Sequence, residues 1–447
     1  MESQQTTALS GTTSEDVAKP DKDMKRIGAA GFTGTLIEFY DLQIYTTAAA
    51  LVFAHVFFPQ LGKAAGTVAA FGTVGVVFVA RPFGSILFGH FGDRLGRKRT
   101  LVVTLLMMGL ATFLTGLLPT SDRIGILAPI LLVALRVLQG IAAGGEFAGA
   151  ALLIAENAPS HARGKWSVLP NLGGAASNSI AALTFLVTSM TMDDHSFRTW
   201  GWRIPFLFSS VLMIIGLYIR LNIRESSVFT SEDRRGSISR APFFDALKTQ
   251  PRDILLACLI PVPAFSILYL VLTYAVSYGV TQIQFQYSQV LWLSVANGVI
   301  LGLGTLVTSR ISDRFGRRPV LIFSSSLAFI WAFVLFPVLY IGTMSSYAIA
   351  VFVSMLLVGF ITGPVAAFLS ELFNTRYRYT AVGFCYNISG IIGGGIPPLI
   401  AGSIISTYGT SAFGKLLAAT CFVSICCCLA VRETRSRALN SDWERQQ

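Results

Sequence analysis

The sequence predicts an all-α integral membrane protein, with twelve transmembrane helices in two pseudo-symmetric six-helix bundles. Three observations predict it. Of the 447 residues, 53% are hydrophobic and only 13% charged, about half the charge of an average soluble domain. Twelve apolar runs follow one another, each near the ~20 residues that a helix needs to cross a bilayer. A charged segment also recurs: Gly89-His-Phe-Gly-Asp93-Arg94-Leu-Gly96-Arg97-Lys98-Arg99 has a degenerate copy in Ser309-Arg-Ile-Ser-Asp313-Arg314-Phe-Gly316-Arg317-Arg318. A charged connection repeated at that distance in an apolar chain points to one membrane-embedded half, duplicated.

Residues 1–27 form a polar tail with no apolar stretch of signal-peptide type. The first bundle, 28–221, takes its spans from 28–54, 64–91, 100–119, 124–155, 166–190 and 202–221. The longest polar connection, 222–252, separates it from the second. That bundle, 253–431, has spans at 253–280, 287–309, 319–342, 346–373, 379–407 and 411–431, and a tail follows at 432–447.

Loop charges orient the chain. Of 34 Lys and Arg residues, only Lys63, Arg123, Arg198, Arg203 and Lys415 fall in the loops of one side. Arg81 and Arg136 lie within spans, and all the rest share the side of the two termini. Basic residues accumulate in cytosolic loops. Both termini are therefore expected in the cytosol, and the protein in the cell (inner) membrane as a multi-pass chain.

Other classes are excluded in turn. The net charge of +11 is concentrated in short loops between spans, not on a basic stripe with interleaved aromatics, so no nucleic-acid partner is expected. The six cysteines all fall in or beside apolar runs, with no Cys-x-x-Cys pair. The four histidines are scattered, and neither a metal nor a cofactor is expected. Gly409-Thr-Ser-Ala-Phe-Gly414-Lys415-Leu416 imitates a phosphate loop but lacks the Ser or Thr after Lys415 and follows no strand. No nucleophile–base constellation suggests an enzyme. Small solutes, protons and membrane lipid are the expected partners, and the chain is expected to work as a monomer.

The duplication has a second witness. Glu156-Asn-Ala-Pro-Ser-His-Ala-Arg163 ends span 4, and Glu371-Leu-Phe-Asn-Thr-Arg-Tyr-Arg378 ends span 10. Further motifs are Ile37-Glu38-Phe39-Tyr40-Asp41, Ala80-Arg81-Pro82-Phe83-Gly84, Arg136-Val-Leu-Gln139-Gly140, Gly144-Gly145-Glu146 and Gly201-Trp202-Arg203-Ile-Pro205-Phe206. With these the chain resembles the major facilitator superfamily, and within it the metabolite:proton symporter branch. The resemblance implies proton-coupled symport of a small organic acid, shikimate-like or another carboxylate, by alternating access. It leaves open a proline- or betaine-type osmolyte symporter, or a transporter-like sensor. Phe39 stands where such proteins often have Trp, and Ser309 replaces the leading Gly of the second charged motif.

Charges inside the spans are the informative residues, because each costs at least about 2.5–3.5 kcal/mol at a helix centre. Glu38, Asp41, Arg81, Arg136 and Glu146 all lie in the first half. At ~1.5 Å rise per residue, Asp41 and Arg136 both come near mid-bilayer. Glu38, Asp41 and Tyr45 share one face of span 1, and Arg136 and Gln139 one face of span 4. Asp41 and Arg136 are expected to form a switchable pair: an anionic substrate that captures the guanidinium fork releases Asp41 to take a proton. Glu38 is the competing proton carrier. Arg81 and Glu146 are expected to pair with each other.

The charged motif has an expected mechanical role, with Asp93 accepting from a helix N-terminus and from Arg97 to hold a cytosolic gate shut. The resemblance adds Glu156 to that cluster and places Asp313, Arg317 and Glu371 in its counterpart. Arg94, Arg163 and Arg378 belong to the same gate. In the second half Tyr274, Asn297, Tyr386 and Asn387 are candidate substrate contacts, with Arg136, Gln139 and Tyr45 opposite.

Overall fold

The computed structural model describes residues 21–223, 242–435 and 437. Among them there is no strand, and twelve long helical stretches succeed one another. The first six are α1 (Asp21–Ala48, continued by a π-helical turn Ala49–Phe53 and by Ala54–Phe57), α2 (Gly62–Leu95), α3 (Arg97–Leu117), α4 (Leu127–Ala155), α5 (Leu169–Thr191) and α6 (Ile204–Leu221). In the second bundle, α7 is assembled from Pro251–Leu259, Val262–Tyr269, a π-helical turn Leu270–Ala275 and Val276–Thr281. Then come α8 (Tyr287–Phe315), α9 (Arg317–Leu339), α10 (Met344–Leu372), α11 (Arg378–Gly390, a π-helical turn Ile391–Gly395, Ile396–Tyr408) and α12 (Thr410–Ala430). The charged 222–252 connection lies mostly outside the described residues, apart from a short helix Pro242–Thr249.

Length and hydropathy alone qualify nine of these helices as membrane spans among the described residues. The three that fall short are α1, α5 and α11. Charges dilute α1, and carboxamides and hydroxyls dilute α5. All three contribute to the wall of the central cavity, so their polarity belongs to the interior between the halves rather than to a lipid face.

The recurring charged motifs are not loops. Helix α2 runs through Leu95 and α3 begins at Arg97, leaving Gly96 alone at φ 106° between them. Gly316 does the same between α8 and α9 at φ 102°. A residue with a Cβ is strained there, so glycine lets the chain reverse in a single residue.

Within each half the closest helix pairs repeat, α2 against α4 and α8 against α10. Glycine makes this approach possible: a Cβ on Gly144 would meet the Arg81 carbonyl at 2.1 Å, and one on Gly359 the Leu301 carbonyl at 2.5 Å. The halves meet along two symmetry-related crossings, α2 with α11 and α5 with α8. Ser309 keeps a tight crossing despite its lost glycine, because the glycine sits on the other partner. Gly164 brings its Cα beside the Ser309 carbonyl, where a Cβ would stand at 2.8 Å.

Candidate functional site

Four side chains from three helices make a continuous buried chain in the first half. Thr112 of α3 donates its hydroxyl to Asp41 Oδ2 of α1 at 2.6 Å. Gln139 Nε2 of α4 donates to that same hydroxyl at 2.5 Å, and Arg136 Nη1 donates to Gln139 Oε1 at 2.5 Å. Asp41 and Arg136 are thus joined through two intermediates rather than in the direct pair read from the sequence. The i, i+3 spacing of Arg136 and Gln139 puts both on one face of α4, and Gln139 fills the gap.

The Arg136 guanidinium lies over the Tyr45 ring, 3.4 Å from its centroid. Tyr45 in turn shares a 2.6 Å hydrogen bond with Thr73 of α2. Arg136 is 1% exposed, and its Nε and Nη2 have no hydrogen-bond partner; the same holds for Asp41 Oδ1. Groups with free hydrogen-bonding capacity in a buried site are costly unless something binds them.

Arg81 and Glu146 do not pair. Arg81 Nη2 meets Glu38 Oε1 at 2.9 Å, with the Phe78 and Phe39 rings 5.6 and 6.0 Å from the guanidinium carbon. Glu146 is claimed by Arg220 of α6: Nη2 bonds Oε1, Nη1 lies 3.1 Å from Oε2, and Thr104 donates to Oε2 at 3.0 Å. The cause is helix rotation. Gly34 leaves room beside α1 that the Arg220 head fills, since a Cβ there would collide with Nη2. Arg220, at the end of its span, reads from sequence as a topogenic charge; the structure places it fully inside.

Between the halves lies a narrow cavity of about 50 Å³. Its wall combines Phe39, Phe265 and Tyr386 with Gln43, Asn171, Asn178 and Thr362, and no charged side chain is on it among the described residues. Gln43 Nε2 donates to Asn178 Oδ1 at 3.1 Å, and Asn171 Nδ2 to the Thr362 carbonyl at 2.8 Å. Tyr386 stacks on Phe147 with centroids 3.5 Å apart.

Of the second-half candidates only Tyr386 is on that wall. Tyr274 turns to α9, its hydroxyl 2.7 Å from that of Tyr340. Asn387 is spent on carbonyls, donating to Gly144 at 2.9 Å and Gly383 at 2.8 Å. Asn297 is buried outside the cavity lining with Oδ1 unpaired. In each case the facing direction on the helix decides, and an isolated polar residue in an apolar run does not reveal it.

The face carrying the charged motifs is closed by a network that crosses the halves twice. Asp93 Oδ2 accepts from the Thr380 amide at 3.1 Å and its hydroxyl at 2.8 Å, and Oδ1 accepts from the Tyr379 amide at 3.2 Å. Asp313 repeats the arrangement, accepting from the Gly164 and Lys165 amides at 2.8 Å each. Each acid of one half therefore caps the first turn of a helix of the other, where amides lack intrahelical partners. Arg163 reaches across to Glu371 at 2.9 Å and Arg378 across to Glu156 at 3.7 Å.

Within each half Arg97 lies 3.4 Å from Asp93 and 3.3 Å from Glu156, and Arg317 lies 2.8 Å from Asp313 and 3.2 Å from Glu371. Arg94 is outside this network, exposed, with Nη1 3.2 Å from His90 Nε2. It precedes the turn at Gly96 on the outer side of α2. The segment after α12 joins in unforeseen: Glu433 accepts from the Arg317 and Arg318 amides at 2.9 and 3.0 Å, and Thr434 donates to Glu371 at 3.1 Å.

The chain is similar to known proteins over most of its length. A model of the Major Facilitator Superfamily matches residues 32–398. The chain is 38% identical to the inner membrane metabolite transport protein YhjE of Escherichia coli (strain K12), over 94% of this chain and 97% of that one. It is 36% identical to the shikimate transporter of the same organism, over 92% of this chain and 95% of that one. Among solved structures, the proton:xylose symporter XylE bound to 6-bromo-6-deoxy-D-glucose superposes with TM-score 0.74 at 18% identity, covering 94% of this chain and 98% of that one.

Proposed function

This chain belongs to the Major Facilitator Superfamily, a multi-pass membrane transporter and not an enzyme, and on that premise we propose proton-coupled symport of a small organic acid by alternating access. The observation that carries the reading is the buried chain from Asp41 through Thr112 and Gln139 to Arg136. It connects a carboxylate able to take a proton with a guanidinium whose Nε and Nη2 are free for a substrate carboxylate. Glu38, held by Arg81, is the second candidate carrier.

The chemistry of the cavity wall suits a shikimate-like substrate, with Gln43, Asn171 and Asn178 to address hydroxyls and the aromatic rings to face its ring. Arg136 is not on that wall, so its meeting with the substrate carboxylate requires the halves to move. The identity to a shikimate transporter supports the same class. The positive-inside rule supports a cytosolic position for the basic loops, and on that reading the closed face is the cytosolic one. The halves 28–221 and 253–431, tied by 222–252, would rock about the cavity to open it, and a single chain carries the whole path.

One observation favours a second reading. Phe39, Phe265 and Tyr386 bring three aromatic rings to one cavity, a wall suited to the cationic end of a zwitterion such as proline or betaine.

Uptake into proteoliposomes under an imposed inward proton gradient tests both. The panel is labelled shikimate, citrate, 2-oxoglutarate, proline and betaine, each with and without an uncoupler. Uncoupler-sensitive accumulation of one acid supports the organic-acid reading. Accumulation of proline or betaine alone replaces it with the osmolyte reading, and flux indifferent to the uncoupler removes proton coupling.

A further inference from the structure

We propose that Thr112 is a positioning residue that carries the protonation state of Asp41 to Arg136. The inference rests on the proton-coupled reading above and names the part that would link its two functions. Thr112 is fully buried on α3, between α1 and α4. Its hydroxyl has one hydrogen and two lone pairs, and three partners compete for them. Asp41 Oδ2 is at 2.6 Å, the Met108 carbonyl at 3.1 Å and Gln139 Nε2 at 2.5 Å.

With Asp41 ionised, its oxygens only accept, so the Thr112 hydrogen points to Oδ2 while Gln139 donates into one lone pair. A proton arriving on Oδ2 reverses this bond. The carboxyl O–H then donates to Thr112 Oγ1, and the hydroxyl hydrogen turns to the Met108 carbonyl without movement of any heavy atom. The only atom added is that proton, and no bond besides the new O–H forms. The hydroxyl now accepts twice and no longer donates to an anion, so it is a weaker acceptor for Gln139. Gln139 is what holds Arg136 Nη1, and loosening it frees the guanidinium toward a ligand.

The other groups facing this chain act through space. Glu38 of α1 and Arg136 of α4 act on Asp41, Arg81 of α2 acts on Arg136, and Tyr40 of α1 lies beside Asp41. Among the described residues, Thr112 with Gln139 is the hydrogen-bonded path between Asp41 and Arg136.

The test needs no known substrate. The full-length protein in proteoliposomes is labelled with phenylglyoxal at one fixed pH, and modification of Arg136 is followed by peptide mass spectrometry. Asp41→Asn mimics the protonated acid, since its amide can donate to Thr112. Infrared difference spectra between acid and alkaline buffer identify the Asp41 carboxyl band by its loss in that variant.

The proposal expects Asp41→Asn and Thr112→Val each to raise Arg136 labelling about tenfold, the equivalent of one buried hydrogen bond. The double variant should gain no more than either alone. Thr112→Val should move the carboxyl band to higher wavenumber, and Thr112→Ser should restore both readouts. If Asp41→Asn raises labelling and Thr112→Val leaves it at the wild-type rate, the relay is overturned while the proton reading stands. If Asp41→Asn changes neither band nor labelling, Asp41 does not titrate: the relay falls, and Glu38 replaces Asp41 as the proton carrier of the proposed function.

Discussion

Asp93 holds Thr380 twice, through its amide at 3.1 Å and its hydroxyl at 2.8 Å, although the two residues are 287 positions apart and in different halves. The carboxylate sits at the first turn of α11, where the amides of Tyr379 and Thr380 have no partner of their own. Its negative charge also opposes the positive end of the helix. The same residue therefore closes the face and neutralises the helix end that closure would otherwise bury.

Removing that charge should open the face. Asp93→Asn keeps the shape but turns charge-assisted bonds into neutral ones, a loss of about 1–2 kcal/mol. That corresponds to a shift of roughly fivefold to thirtyfold toward the open arrangement. Spin labels at Arg94 and Arg376, both exposed and outside the central network, report the separation of α2 and α11. A distance distribution in Asp93→Asn that gains a longer population supports the gate. One superimposable on wild type would show that Asp313 with the Arg163–Glu371 and Arg378–Glu156 contacts holds the face without Asp93.

The two buried ion pairs of the first half should behave as independent units. Arg220→Leu leaves Glu146 charged with no counter-ion, only the Thr104 hydroxyl, and Arg81→Leu removes the counter-ion of Glu38. Each should destabilise the protein by about 3–5 kcal/mol. Adding Glu146→Gln to Arg220→Leu should restore part of the loss, as should Glu38→Gln with Arg81→Leu. The crossed combination, Arg81→Leu with Glu146→Gln, should be additive within about 0.5 kcal/mol. Thermal unfolding in detergent micelles measures all of these, and a rescue in the crossed combination would restore the pairing read from sequence.

That mistaken pairing shows where sequence reading stops. Hydropathy and repeated charged motifs exposed the helices and the duplicated halves, because both are written along the chain. Which charges meet is decided by rotation about each axis, and a helix turns about 100° per residue. Arg220 looked like a cytosolic anchor because it ends an apolar run, yet Gly34 makes a berth for it. Asn387 and Tyr274 looked like cavity residues, but face a carbonyl of α4 and the hydroxyl of Tyr340. Thr112 gave no signal at all, since a threonine in an apolar helix ordinarily bonds its own backbone. The cavity carboxamide Gln43 was hidden differently, two residues beyond Asp41 and so on another side of α1.

Separating proton coupling from substrate recognition is the sharpest demand on the proposed function. Asp41→Asn cannot release a proton, so the carrier should be locked in its protonated form. Accumulation driven by a proton gradient should disappear, while exchange of substrate between two loaded compartments stays measurable because it needs no proton release. Glu38→Gln is the comparison: its carboxylate is bound to Arg81 instead of to the Thr112 chain, and accumulation should persist in reduced form. Arg136→Lys retains a positive charge but loses the planar fork that can engage a carboxylate bidentately. Affinity for a carboxylate substrate should fall about tenfold to a hundredfold, one to two charge-assisted hydrogen bonds' worth. Full accumulation in Asp41→Asn with none in Glu38→Gln would transfer the proton to Glu38. Unchanged affinity in Arg136→Lys would remove the guanidinium from recognition and leave the uncharged cavity wall to select the substrate.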